Sequence, residues 1–107
     1  AVLIADEVQC GIFRTGKPFA FQTYGVEPDI MSLAKGIADG VPMGAVVAKK
    51  EIADVFKLGD HGSTFGGSCL AVAACAAIMP SMLPRLEPIW RQSLPSCRML
   101  PRCVVAA

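Results

Sequence analysis

Two short apolar runs, each closed by a charged residue, set the tightest limit on how this chain folds. Val2-Leu3-Ile4-Ala5 runs into Asp6-Glu7, and Ile30 to Ala34 runs into Lys35-Gly36. Such runs, without polar alternation, are the pattern of strands buried on both faces of a parallel sheet. In sheets of that kind ligands bind beyond the carboxyl ends of the strands. If the two strands are parallel neighbours, Asp6 and Lys35 leave the same edge of one sheet. An amine at the end of a buried strand is partly desolvated, which disfavours its ammonium form and favours a nucleophile. An ordinary surface lysine has the same one-letter code, so the neighbours of Lys35 have to decide between the two.

The intervening sequence predicts strands alternating with short helices. Cys10 to Lys17 reads as a loop punctuated by Gly11 and Gly16, and Arg14 reads there as loop surface, outside any site. Pro18 to Tyr24 suits a short helix closed by Gly25. Gly36 to Gly44, with Pro42, reads as a loop, and Ala45 to Ala48 as a third strand. Lys49 to Lys57 fits an amphipathic helix with Ile52, Val55 and Phe56 on one face, and Gly59 to Gly67 is a second polar loop. Ser68 then caps a helix over residues 68–79 that is small and apolar on every side. The expected fold class is α/β, a mostly parallel sheet with flanking helices.

Composition narrows the partners. The 107 residues have the length of one small domain, yet 53% are hydrophobic before glycine is counted, whereas ordinary domains reach about 45–50% with it. Together with a start in mid-strand and no methionine, this is expected of a piece of a larger core. A net charge of +1 offers no footprint for nucleic acid or an anionic membrane. No run approaches the roughly 18 apolar residues of a membrane helix, so a soluble, cytoplasmic chain is expected, or a mitochondrial one in a eukaryote. The five cysteines form no C-x-x-C pair and read as reduced thiols of an intracellular compartment. His61, Cys69 and Cys75 match no common metal-ligand spacing, and no metal site is assigned.

Residues 1–79 form the patterned part. Residues 80–107 hold five of the eight prolines and four arginines against one acid, a spacing that permits no helix beyond about two turns. This tail is expected to be irregular, as a shifted reading frame would make it.

Three features carry chemistry together: Asp6-Glu7-Val8-Gln9, Lys35, and Ser63-Thr64 in the glycine-rich loop. Twenty-nine positions separate Asp6 from Lys35, and 29 more separate Lys35 from Thr64. A carboxylate beside a lysine is most simply an ion pair. The alternative is chemistry on pyridoxal 5'-phosphate, which needs an amine to hold the aldehyde, an acid to keep the ring nitrogen protonated, and hydroxyl or amide donors for the phosphate.

Asp6-Glu7-Val8-Gln9-x-Gly11-x-x-Arg14-Thr15-Gly16-Lys17, Tyr24-Gly25-Val26-Glu27-Pro28-Asp29-Ile30, Ala34-Lys35-Gly36 and Gly62-Ser63-Thr64-Phe65-Gly66-Gly67 resemble the class III (ornithine-type) aminotransferases of fold type I. Several separated motifs in order are far more specific than one short pattern. Gly59 to Gly67 is most similar to acetylornithine aminotransferases, then to ornithine aminotransferases, with the 4-aminobutyrate enzymes third.

The resemblance implies part of the large, cofactor-binding domain. It implies that Asp6 pairs with the pyridinium nitrogen, Val8 packs on the ring, Gln9 approaches the ring oxygen, and Lys35 anchors the cofactor covalently and shuttles the proton. Ser63 and Thr64 supply phosphate donors, with Thr64 implied to serve the neighbouring subunit of a homodimer. By its own chemistry the Ser-Thr-x-Gly-Gly loop suits an anion at its own helix terminus equally well. The implied substrates are acetylornithine or a related ω-amino donor and 2-oxoglutarate.

The chain departs from the family pattern at Cys10, at Asp39 and at Ser68-Cys69. It also lacks the family's main phosphate loop and its substrate-carboxylate arginine, so alone it is expected not to turn over. A non-catalytic remnant, or a small anion-binding domain built on Gly62 to Gly67, are the alternative readings.

Overall fold

The computed structural model describes residues 1–80 and 104–106. Strands β1 (Ile4–Asp6), β2 (Ile30–Ala34), β3 (Gly44–Ala48) and β4 (Val104–Ala106) form one sheet in the order β1-β2-β3-β4. β1 and β2 run parallel, with Ile4, Ala5 and Asp6 opposite Ile30, Met31 and Ser32. β3 is antiparallel to both β2 and β4. The described sheet is therefore mixed, not mostly parallel, and connection length explains why. A parallel crossover takes about a dozen residues or more. Residues 7–29 supply that between β1 and β2, whereas 35–43 are too few between β2 and β3. Most of the tail expected to be irregular lies outside the described residues; 104–106 pair through their backbone with the free edge of β3.

Strand alternation sorts the side chains between the two faces. Met31, Leu33 and Ala45 lie together with Phe19, Ile37 and Ala38 in a core where none is more than 6% exposed. Ala74, Cys75 and Met79 pack on this cluster from one side of helix α2, residues 69–80. α2 starts where expected: the Ser68 carbonyl accepts the Val72 N–H at 2.9 Å, the bond of an amino-terminal cap position. The other face of the sheet is open among the described residues, leaving Ile4 62% and Val46 46% exposed. β1 is thus an edge strand covered on one face, not the doubly buried strand its apolar run predicts. Among the described residues α2 likewise packs on one side, and Leu70 stays 69% exposed.

Two helices are shorter than their sequence patterns. Pro18 to Tyr24 condenses to a 3-10 turn, Ala20–Thr23, followed by Gly25 at φ +64° in the expected capping conformation. Helix α1 is only Lys50–Ala53, so Val55 and Phe56 fall beyond its single turn and are 71% and 57% exposed.

Asp29 ties the amino ends of β1 and β2 to the end of β3. Its carboxylate accepts the Leu3 N–H and the Lys49 ammonium, each at 2.8 Å, and its carbonyl accepts the Lys49 N–H at 2.9 Å. Glu27 stands 3.5 Å from the same ammonium. The Leu3 N–H, and after it Lys49, hold the Asp29 carboxyl below its ordinary value, while Asp29 foremost raises the Lys49 ammonium.

A depressed carboxylate contributes stability above its unfolded value and loses it as pH falls through its folded value. A raised ammonium contributes below its unfolded value and loses it as pH rises through its folded value. Asp29→Asn should therefore lower the unfolding midpoint most between about pH 5 and pH 9, with the difference from the parent shrinking at both extremes. A difference independent of pH would contradict this tether.

Candidate active site

The carboxyl ends of β1 and β2 border a cavity of about 310 Å³ lined by Val8, Gln9, Gly11, Ile12, Arg14, Lys35 and Gly36. This is the small end of the size range of ligand pockets.

Lys35 is the first residue after β2 and opens the 3-10 turn Lys35–Ala38. It holds a left-handed φ of 51°, which for a side chain with a Cβ costs on the order of 1 kcal/mol. The strain turns the chain at the strand end, and Nζ donates to the Gln9 Oε1 of the neighbouring connection. Lys35 is exposed. Burial by the described residues therefore does not supply the desolvation expected at a strand end, because Leu33 is the last core residue of β2.

Asp6 ends β1 opposite Ser32, on the open face of the sheet. Its Oδ1 accepts the Val8 N–H at 3.0 Å and the Ser32 hydroxyl at 3.2 Å. Two donors on one oxygen fix the carboxylate plane and leave Oδ2 for a further donor. Asp6 stands at the edge of the cavity's strands but does not line it.

Ser63 and Thr64 are exposed in the turn before α2, where the Gly66 N–H donates to the Ser63 carbonyl at 3.3 Å. Neither lines the cavity. Of the six residues expected in the site, the fold brings Val8, Gln9 and Lys35 into one cavity, holds Asp6 at the same sheet edge, and places neither Ser63 nor Thr64 in the cavity lining.

Two further residues emerge that the sequence reading left out. Glu7 is 3% exposed, the buried charged residue among those described. Its carboxylate accepts the Ala20 N–H at 3.0 Å and the Phe21 N–H at 2.9 Å, supplying acceptors at the start of the 3-10 turn. Consecutive strand-end acids point to opposite faces, so of Asp6 and Glu7 one had to enter the core. That signal was present in the sequence.

Arg14 lines the cavity because the loop after Gln9 folds back. A Cβ on Gly11 would lie 2.7 Å from the Glu7 carbonyl oxygen, closer than such contacts occur, so the fold-back needs glycine there. The two glycines bracketing Arg14 were the available hint.

An amine, an oriented carboxylate, a carboxamide and an apolar wall suit the aldehyde, ring nitrogen, ring oxygen and ring face of pyridoxal 5'-phosphate. This donor set fits the reactive half of that molecule.

Residues 1–86 match the family model described as "Aminotransferase class-III". That match spans most of the chain, with the Lys35 cavity inside it, and the chain belongs to the class III aminotransferases. It is similar to the acetylornithine aminotransferase of Streptococcus mutans, 54% identical over 94 residues covering 86% of this chain and 25% of that protein. It is 63% identical to that of Methanocaldococcus jannaschii over 76 residues, 71% of this chain and 19% of that protein.

Solved structures agree. An (S)-enantioselective omega-transaminase from Thermomicrobium roseum superposes with a TM-score of 0.70 at 39% identity, over 83% of this chain and 20% of that one. Ornithine delta-aminotransferase from Plasmodium falciparum superposes with a TM-score of 0.69 at 36% identity, over 86% and 27%. The chain thus spans about a fifth to a quarter of the curated relatives it matches. The small mixed α/β unit is a piece of the transaminase fold, and the family match crosses the composition change at residue 80.

Proposed function

We propose that this chain carries the lysine-bearing part of a pyridoxal-phosphate site in an aminotransferase moving an amino group from acetylornithine, or a related ω-amino donor, to 2-oxoglutarate. The observation that carries the reading is the meeting of Lys35 and Gln9 in one cavity, beside a carboxylate already oriented at the end of the parallel neighbour strand. When bound, the cofactor supplies an electron sink that makes the hydrogen on the amine-bearing carbon acidic.

The chain's residues do the rest. Lys35 Nζ is the amine that would hold the cofactor at its aldehyde and, when free, would serve as the proton carrier. Gln9 Oε1 accepts from the Lys35 amine, and its carboxamide would approach the ring oxygen. Asp6 Oδ2 would accept from the ring nitrogen, and Val8 would pack on the ring face. Ser63 and Thr64 would serve phosphate oxygens; neither lines the Lys35 cavity, which accords with Thr64 acting on the other subunit of a homodimer. A cytoplasmic location accords with the absence, among the described residues, of any helix long and apolar enough to cross a membrane.

Open apolar surface at Ile4, Val46 and Leu70 supports a chain that binds the cofactor without completing turnover. Given pyridoxal phosphate, acetylornithine and 2-oxoglutarate, it should develop a visible absorption band and release no glutamate. The absence of a band would sink the cofactor assignment, whereas steady glutamate release would sink the inactivity.

A further inference from the structure

Arg14 shares the Lys35 cavity, yet the proposed chemistry gives it no task. It is exposed, and among the described residues it forms no ion pair; the cations paired there are Lys49 and Lys50. The cavity lining contains two cations, Arg14 and Lys35, and no carboxylate. Charge of one sign in a small concave site concentrates the opposite charge there.

The backbone that places Arg14 is strained and pinned. Ile12 and Phe13, just before it, hold left-handed φ values of 55° and 63°, a conformation that a β-branched residue keeps only where its surroundings over-determine it. Those surroundings are evident. The Phe13 N–H reaches the Pro18 carbonyl at 3.2 Å, the Arg14 N–H the Gly11 carbonyl at 3.4 Å, and the Gly16 N–H the Phe13 carbonyl at 3.1 Å. Glu7 fixes the far end of the loop at Ala20 and Phe21. A segment that merely connects β1 to β2 needs none of this.

We propose that Arg14 is the anion-recognising residue of this cavity, its guanidinium binding an oxyanion of the molecule that reacts at Lys35, either a substrate carboxylate or a cofactor phosphate. Its planar fork matches both chemistries with paired hydrogen bonds. The assignment of a reacting partner rests on the reading of Lys35 as the cofactor anchor; the binding of an anion does not.

The test uses the full chain without cofactor, titrated calorimetrically with inorganic phosphate or with succinate, a dicarboxylate that cannot react with an amine. One anion should bind the parent about tenfold or more tightly than it binds Arg14→Gln, more weakly as salt rises, with Arg14→Lys between the two. Preference for phosphate assigns Arg14 to the cofactor end, and preference for succinate to the substrate end. Equal binding by the parent and Arg14→Gln, or no binding of either anion by the parent, would overturn the proposal. The visible band with pyridoxal phosphate is read separately in the parent. Arg14-dependent anion binding without a band rejects the Lys35 reading alone; a band without Arg14-dependent binding rejects only the Arg14 assignment.

Discussion

Replacing Lys35 by alanine is expected to abolish covalent retention of pyridoxal phosphate: the visible band disappears, and borohydride followed by dialysis leaves no label on the chain. In a protein that completes the site, the same change should lower amino transfer by at least about 10²–10⁴-fold, the usual contribution of a positioned proton carrier. The fold should be untouched. Lys35 is exposed and its side chain bonds to Gln9, and substitutions at such positions usually alter stability by no more than about 0.5 kcal/mol. Equal midpoints with a lost band separate chemistry from structure. A band of parental intensity in Lys35→Ala would remove the lysine from its role.

The second large effect is structural. Glu7→Ala should cost about 2–6 kcal/mol, because the Ala20 and Phe21 N–H groups lose their acceptor in a partly buried setting, at about 1–3 kcal/mol each. Domains are stable by only about 5–15 kcal/mol, so much of the margin would go. Glu7→Gln keeps one carbonyl acceptor and should fall between. Denaturant midpoints should order parent, Gln, Ala. Because Gly11, Ile12 and Arg14 lie on the loop that Glu7 closes, anion binding should weaken in the same order. Parental stability in Glu7→Ala would show that the loop is held by other contacts.

The shared edge of Asp6 and Lys35 was legible because it depends on the ends of strands, and strand ends are marked wherever an apolar run meets a charge. Asp6, Val8, Gln9 and Lys35 follow from that rule together with the family resemblance, and the parallel register of β1 on β2 brings them to one edge. The direction of β3 was set by the length of a connection whose consequence the apolar pattern does not display. The burial of β1 was misjudged because a run of apolar residues records what a strand is built to touch, and the described residues cover only one face. The helix over Lys49 to Lys57 is cut short for a related reason: Val55 and Phe56 have the right spacing but no described surface to pack on, so only the turn Lys50–Ala53 forms. Glu7 was signalled only by its position next to Asp6 at a strand end, and the place of Arg14 in the cavity comes from a loop folding back, a tertiary event marked in sequence only by Gly11 and Gly16.

The most direct measurement is the position of the label. The chain is reduced with borohydride in the presence of pyridoxal phosphate and digested, and its peptides are mapped by mass spectrometry. The phosphopyridoxyl group is expected on Lys35, with Lys17, Lys49, Lys50 and Lys57 unmodified at stoichiometric cofactor. Label spread over all five lysines, or concentrated on one other than Lys35, would contradict it.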